Sequence, residues 1–243
     1  MTLDSLAVSG NHPRSGRIVS VHFPKAAGSS LRAQLTKLLG DEIAFDYNHD
    51  PLTSAGAETA DFPCGKRLVH GHFRAQRYAT AAAYWMTFLR HPVDNLNSIY
   101  FYWKSVQEPG HAIHAQFLRE RPSILEFARY PALTNLMSET YFGGFDMGRF
   151  DFIGFYETRD TGVPHLAADL GLPLVADVHE NRTPESVERR SLEADVSVRR
   201  RLTDLLSADV KFYEKMRGVA VHRGSTRQSF ASDYSATGKA VEP

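Results

Sequence analysis

One cysteine, Cys64, stands among 243 residues, so no internal disulfide framework can form and no oxidising compartment is required. Net charge is missing too. The 28 Lys+Arg balance 28 Asp+Glu, which argues against a chain built to coat nucleic acid. That balance leaves room for a local basic pocket, because a sum of charges says nothing about placement. No run approaches ~18 apolar residues, so no membrane span is expected. The first sixteen residues hold no apolar core of signal-peptide length. A cytoplasmic location is the simplest expectation, although a domain trimmed from a longer membrane-anchored chain would read alike. No repeat recurs at solenoid or propeller periods, and no heptad or symmetric patch indicates an oligomeric state.

What is present is an ordinary globular composition, 42% hydrophobic and 23% charged. A chain of this length buries about 70% of its extended surface on folding, enough for one core without staples. Short apolar runs alternate with amphipathic stretches, which predicts an α/β fold with a central, mostly parallel sheet flanked by helices. Strands are expected at residues 17–23, 66–72, 83–89 and 152–156. Helices are expected at 29–39, 92–106, 163–170 and 195–217, with a helical stretch over 123–142 broken at Pro131. Residues 40–65 have weak periodicity and read as a functional loop. One domain over residues 17–218 is expected, between a flexible N-terminus (1–16) and a loose tail rich in Ser, Gly, Thr and Ala (219–243).

The sharpest local feature follows the first strand. The run FPKAAGSSL, residues 23–31, leads from strand through a tight turn into a helix. A helix start offers unpaired N–H groups and a positive dipole end, together an anion site. Gly28 permits close backbone approach, Ser29 and Ser30 add hydroxyls, and Lys25 adds a point charge. Lys25 precedes the glycine, unlike the usual nucleotide loop in which Gly-x-x-x-x-Gly precedes Lys-Ser/Thr. A serine-rich helix start with an incidental surface lysine is the competing reading.

A second strand–turn–helix, TFLRHPVDNLNSIY at residues 87–100, carries Arg90 at the strand's carboxyl end, where open α/β sheets bind ligands. Ser98 lies about two turns into the following helix, in register with Asp94 and Tyr102. Two anion sites at two strand ends suit a ligand with two separated phosphates. The competing reading pairs Arg90 with a nearby acid and leaves Ser98 facing solvent.

These elements resemble the sulfotransferases that use 3′-phosphoadenosine 5′-phosphosulfate (PAPS), whose fold is P-loop-kinase-like. FPKAAGSSLR resembles their 5′-phosphosulfate loop and LRHPVDNLNSIY their 3′-phosphate element. The resemblance implies that Lys25, Ala27, Gly28, Ser29 and Ser30 hold the 5′ end, and that Arg90 and Ser98 hold the 3′-phosphate. A third element, His70-Gly71-His72-Phe73, resembles the strand end of carbohydrate 2-O-sulfotransferases that carries the catalytic histidine. By that pattern His72 takes the acceptor's proton, His70 supports the site, and no metal is required. Histidine suits the task because its ordinary pKa lies near neutrality. Two histidines two apart on a strand also share a face, so a zinc site joined by His22, His49 or His91 is a rival, as are ordinary strand histidines.

The chain departs from the family pattern in lacking a late Arg-Lys-Gly segment. Residues 179–184 (HENRTP) lie where sugar-modifying members place a cofactor loop, making Arg182 and Thr183 candidates. Phe152–Glu157 resembles a core strand of the family, with Glu157 structural. Tyr100, Tyr102 and Trp103 are candidates for the site wall, with core packing the competing reading. Arg199, Arg200 and Arg201 could grip an anionic acceptor or form a solvated helix face. The expected reaction moves a sulfuryl group from PAPS to a hydroxyl, carbohydrate or glycolipid favoured, releasing 3′-phosphoadenosine 5′-phosphate (PAP). A nucleotide-dependent phosphotransferase, a zinc hydrolase and a non-catalytic nucleotide-binding module are the alternatives. No nucleic-acid partner is expected.

Overall fold

The computed structural model describes residues 16–53, 58–176 and 186–219. Most of the expected N-terminal segment, nearly all of the tail, and Arg182 and Thr183 lie outside them. Five strands form one sheet: β1 (Ile18–Val21), β2 (Ile43–Phe45), β3 (Leu68–Gly71), β4 (Tyr84–Leu89) and β5 (Phe152–Phe155). Their order is β2-β3-β1-β4-β5 and every pairing is parallel, as the alternating pattern predicts. Every residue of β1, β3 and β4 is buried, which explains why these strands read as near-continuous apolar runs.

β2 is the strand that periodicity does not reveal. It has three residues, of which only Ile43 is buried, and it lies inside the stretch expected to be a loop. Pairing of Ile43 with Leu68 and of Phe45 with His70 makes it a strand, so its partner defines it.

Helix α1 (Gly28–Leu39) follows β1, and α2 (Pro92–Ser105) follows β4 with proline in its first turn, where the missing N–H costs nothing. Next come α3 (Ala112–Glu120), α4 (Ile124–Phe127) and α5 (Pro131–Thr134). A π-helix over Leu136–Tyr141 completes the segment expected to be helical with a break at Pro131. α3 was not expected. Its Phe117 packs edge-on against Tyr100 and Trp103 of α2, and against Phe127 of α4. α6 (Arg159–Leu170) ends at Gly171, whose φ of 63° is the left-handed C-cap the glycine predicts. α7 (Val187–Ala194) and α8 (Val196–Leu205) precede a last helix over residues 207–219, so the single helix expected from 195 is interrupted at Leu206.

The chain leaves β1 toward β2 and β3 on one side of the sheet, and leaves β4 toward β5 on the other. β1 and β4 are neighbours, with Val21 opposite Thr87. Their carboxyl ends therefore flank a topological switch point, the place where open α/β sheets form a crevice. Both basic elements singled out in the sequence emerge there. Among the described residues, no helix is long and apolar enough to cross a membrane.

Candidate functional site

The turn between β1 and α1 places two non-glycine residues at positive φ, Lys25 at 56° and Ala27 at 75°. Ala27 is the N-cap of α1, no side chain caps it, and the first turn carries no acid. The helix start is thus open to an anion. Asn95 fixes the turn by donating from Nδ2 to the Pro24 carbonyl at 2.6 Å.

Gly28 has a reason that the sequence did not disclose. A Cβ there would fall 1.8 Å from Cδ2 and 1.9 Å from Nε2 of His22, so the space a side chain would fill belongs to an imidazole. The residue after β1 is thereby locked beneath the helix start.

Arg90 leaves β4 and turns toward this cradle. Its Nη1 donates to the Lys25 carbonyl at 3.2 Å, and its guanidinium lies 4.2 Å from the centre of the Tyr156 ring. Its Nε is buried without a partner. The Lys25 ammonium sits 4.2 Å over the Tyr102 ring. Burial, then Arg90, then Arg189 of α7 push the Lys25 amine down to about 8. Burial also lowers the Arg90 guanidinium, with Tyr156, Asp94 and Glu157 opposing and Arg189 reinforcing the shift. Arg189, itself paired with Glu193 at 2.9 Å, is thus near enough to add to the positive field at Lys25 and Arg90, and Lys25 makes no ion pair with a carboxylate among the described residues. Sequence reading missed Arg189, because only tertiary packing brings α7 to the cradle. A cleft of about 310 Å³ opens beside Arg90, lined by Asp94, Tyr156, Glu157, Arg159 and Asp160.

The other candidates sort by burial. Ser98 is buried rather than facing solvent, at 3% exposure. Tyr100 and Trp103 belong to the core, while Tyr102 is 40% exposed at the cradle. Arg199 is bidentate with Asp94 at 2.7 and 3.2 Å, tying α8 to α2, and Arg200 and Arg201 are exposed. Glu157 accepts from the His91 amide at 2.7 Å and the Tyr213 hydroxyl at 2.8 Å, bridging β5 to α2 and to the last helix.

On the opposite side of β1 lies a histidine stack. The His22 ring is sandwiched between His72, centroids 4.2 Å apart, and His70, 5.0 Å apart. Neighbouring parallel strands present same-face residues in line, and Ser20 sits opposite His70 in the register. His70 Nδ1 hydrogen-bonds Ser20 Oγ at 2.8 Å, while its Nε2 is buried and unpartnered. Burial pushes His70 down to about 3, so it is neutral at any ordinary pH. Burial also lowers His22 far below its usual range.

His72 is half-buried and differs from both. Its Nδ1 lies 2.7 Å from the His22 carbonyl, which can only accept, so Nδ1 carries the proton and donates. The lone pair is then on Nε2, which has no hydrogen-bond partner among the described residues. Burial lowers its proton affinity, and Asp50 and the His22 carbonyl oppose that shift. Gly71 sits between the two histidines because a Cβ there would meet the Asp46 carbonyl oxygen at 1.9 Å. The segment after β2 runs tight against the strand end, with the Asp46 amide donating to the His70 carbonyl at 3.0 Å.

That segment belongs to the stretch expected to be a functional loop, and it delivers Tyr47 and Asp50 to the histidines. Tyr47 Oη is 3.0 Å from His22 Nδ1, and its ring meets His72 edge-on. Arg32 of α1 covers Tyr47 at 4.9 Å. His49 and His91 lie apart from the stack, paired with Asp46 and Asp94 respectively. Among the described residues, no group of three or more His, Cys, Asp or Glu is arranged to hold a metal ion.

No family profile and no curated protein sequence matches this chain. Among solved structures, it is similar to a sulfotransferase from Alicyclobacillus acidocaldarius, with TM-score 0.37 and 16% identity over 81% of this chain and 98% of that one. It is also similar to the mouse sulfotransferase SULT7A1 complexed with PAP, with TM-score 0.36 and 13% identity over 67% of this chain and 61% of that one. Likeness at this level carries no functional weight, and the chemistry has to be read from the chain's own residues.

Proposed function

We propose that this protein is a sulfotransferase that moves a sulfuryl group from PAPS to an acceptor hydroxyl, with His72 as the base. The observation that carries the reading is one continuous site at the β1 and β4 ends. The Lys25 turn is joined to Arg90 on one side and, through His22, stacked on His72 on the other.

The residues suit a doubly phosphorylated donor. Three cations crowd the cradle, burial weakens two of them, and a buried Arg90 Nε lacks a partner. An anion with two separated phosphates would supply a partner to the Lys25 ammonium and the Arg90 Nε, while Arg189 already pairs with Glu193 at 2.9 Å. Lys25 with Ala27, Gly28, Ser29 and Ser30 would hold the 5′ end. Arg90 and Ser98, joined by Arg189, would hold the 3′-phosphate, and Arg182 and Thr183 stay candidates on sequence alone. When bound, PAPS supplies an activated sulfuryl group on a phosphate leaving group.

The chain's own part is proton handling and charge. His72 Nε2 accepts the proton of the acceptor hydroxyl as that oxygen becomes the nucleophile, and Nδ1 keeps its own proton throughout. The enclosed His70, 1% exposed, cannot reach an acceptor and instead fixes the stack. Lys25 and the first-turn amides of α1 oppose negative charge growing at the leaving oxygen. Preference for a carbohydrate or glycolipid acceptor rests on the resemblance of the His-Gly-His element.

Calorimetry with PAP, followed by a PAPS-dependent screen over glycan, lipid and phenol acceptors, tests the reading. PAP binding should weaken in Lys25→Ala, Arg90→Ala and Arg189→Ala. Transfer should fall about 10²–10⁴-fold in His72→Ala. Absence of PAP binding, or wild-type transfer by both Lys25→Ala and His72→Ala, overturns it. ATP competing as well as PAPS would point to a phosphotransferase instead.

A further inference from the structure

Behind His72, away from its free Nε2, lie two groups that neither sequence motif includes. Tyr141 Oη is 3.3 Å from His72 Nδ1 and 3.2 Å from Asp50 Oδ1. The hydrogen directions follow by elimination. His72 Nδ1 bears the proton it gives to the His22 carbonyl, so toward Tyr141 it can only donate, in a bifurcated bond. The Tyr141 oxygen accepts, and its own proton is directed at the Asp50 carboxylate, an acceptor. The result is a chain running His72 Nδ1–H to Tyr141 O–H to Asp50.

We infer that Tyr141 and Asp50 form a hydrogen-bonded relay that holds the His72 imidazole in one tautomer and shares the positive charge it gains as a base. The inference rests on the reading of His72 as that base. No proton leaves Nδ1. When Nε2 takes the acceptor's proton, the new charge lies on a ring whose other N–H is already aimed at an oxygen polarised by a carboxylate. Tyr141 and Asp50 touch no reacting atom, so both are positioning residues.

Three features of the fold hold the relay. Tyr141 ends the π-helix, a rare geometry that often marks a functional site. Asp209 of the last helix pins the start of that π-helix by accepting from the Met137 and Ser138 amides, both at 2.8 Å. Tyr141 itself is 1% exposed, its ring packed against Phe23, so its hydroxyl has little freedom to turn elsewhere. On the other side, the Leu52 amide donates to Asp50 Oδ1 at 2.9 Å, which fixes the carboxylate.

The groups facing His72 are His22, His70, Tyr47, Arg32, Asp50 and Tyr141. Burial and Arg32 disfavour a charged His72, while Asp50, the one carboxylate among these groups, and the His22 carbonyl favour it.

The test is a histidine ¹⁵N NMR titration of the full chain, comparing wild type with Tyr141→Phe, Asp50→Asn and the double variant. Phe keeps the ring packing, and Asn can still accept from the Leu52 amide, so both variants are built to keep the fold. In wild type, neutral His72 should carry its proton on Nδ1. Each single variant should lower its titration midpoint, and the double variant should lower it no further than the larger single shift. Additive shifts, or an unchanged midpoint in both single variants, overturn the relay. In transfer assays each variant should lower kcat about tenfold with the acceptor KM unmoved. The acid limb of its pH profile should move to lower pH. A wild type that binds no PAP would sink the sulfotransferase reading, while the titration still decides the relay.

Discussion

Two glycines show how the site is built at the scale of single residues. Gly28 was legible as a cradle glycine, yet what fills its missing side chain is His22, and Gly71 is needed because the Asp46 backbone crosses the strand end. Neither neighbour is predictable from spacing, because each contact joins segments that meet only after folding. Gly71→Ala forces the Asp46 carbonyl away from a Cβ that would sit 1.9 Å from it. Backbone cannot yield as a side-chain tip does, so the substitution should cost about 3 kcal/mol, read as a lower urea midpoint. It should also disturb Tyr47 and Asp50, which ride on the same segment. A midpoint equal to wild type would show that the 46–50 segment is not held against β3.

At the scale of elements, the segments with strong periodicity or capping signals were legible: β1, β3, β4, α1 and α2 stand within a few residues of their expected places. β5 was legible too, but two others were not. β2 exists by pairing with β3, and α3 by aromatic packing against α2. The helical course of residues 123–142 was legible but its π geometry was not, since it is held by Asp209, some seventy residues further on. That carboxylate is 2% exposed and also accepts from the Ser138 hydroxyl at 2.6 Å. Burial raises its pKa while the two amides and the hydroxyl hold it down. Asp209→Ala should therefore leave two amides without an acceptor and cost about 3 kcal/mol in denaturant unfolding. It should reduce transfer as well, through misplacement of Tyr141. Full activity in that variant would detach the π-helix from the site.

At the scale of the whole molecule, the histidine stack makes stability depend on pH. His70 is held at about 3 in the folded chain against an ordinary 6.5. Above pH 6.5 neither folded nor unfolded chain binds the proton, so the group contributes nothing. Between 6.5 and about 3 the unfolded chain binds it and the folded chain does not. Stability must fall on acidification, by about 1.4 kcal/mol per pH unit for each proton so displaced. His22 and His72 are shifted in the same direction and add to the loss. Urea unfolding should give a clearly lower free energy at pH 5 than at pH 7, with a shallower dependence in His70→Asn. A flat profile over that range would mean the stack is not buried as a neutral unit.

The absence of net charge with which the sequence is marked constrained only the average. By itself the sequence determined a parallel α/β domain, a lysine-bearing helix start, an arginine at a strand end and a His-Gly-His strand end, because propensity, periodicity and local motifs are short-range properties. The tertiary structure alone decided that these meet at the β1–β4 switch point. It also decided that Arg189 lies near the cradle, that His22 couples the cradle to His72, and that Tyr141 and Asp50 stand behind His72. Those relations depend on strand order and side-chain packing between residues far apart in the chain, which no local pattern encodes.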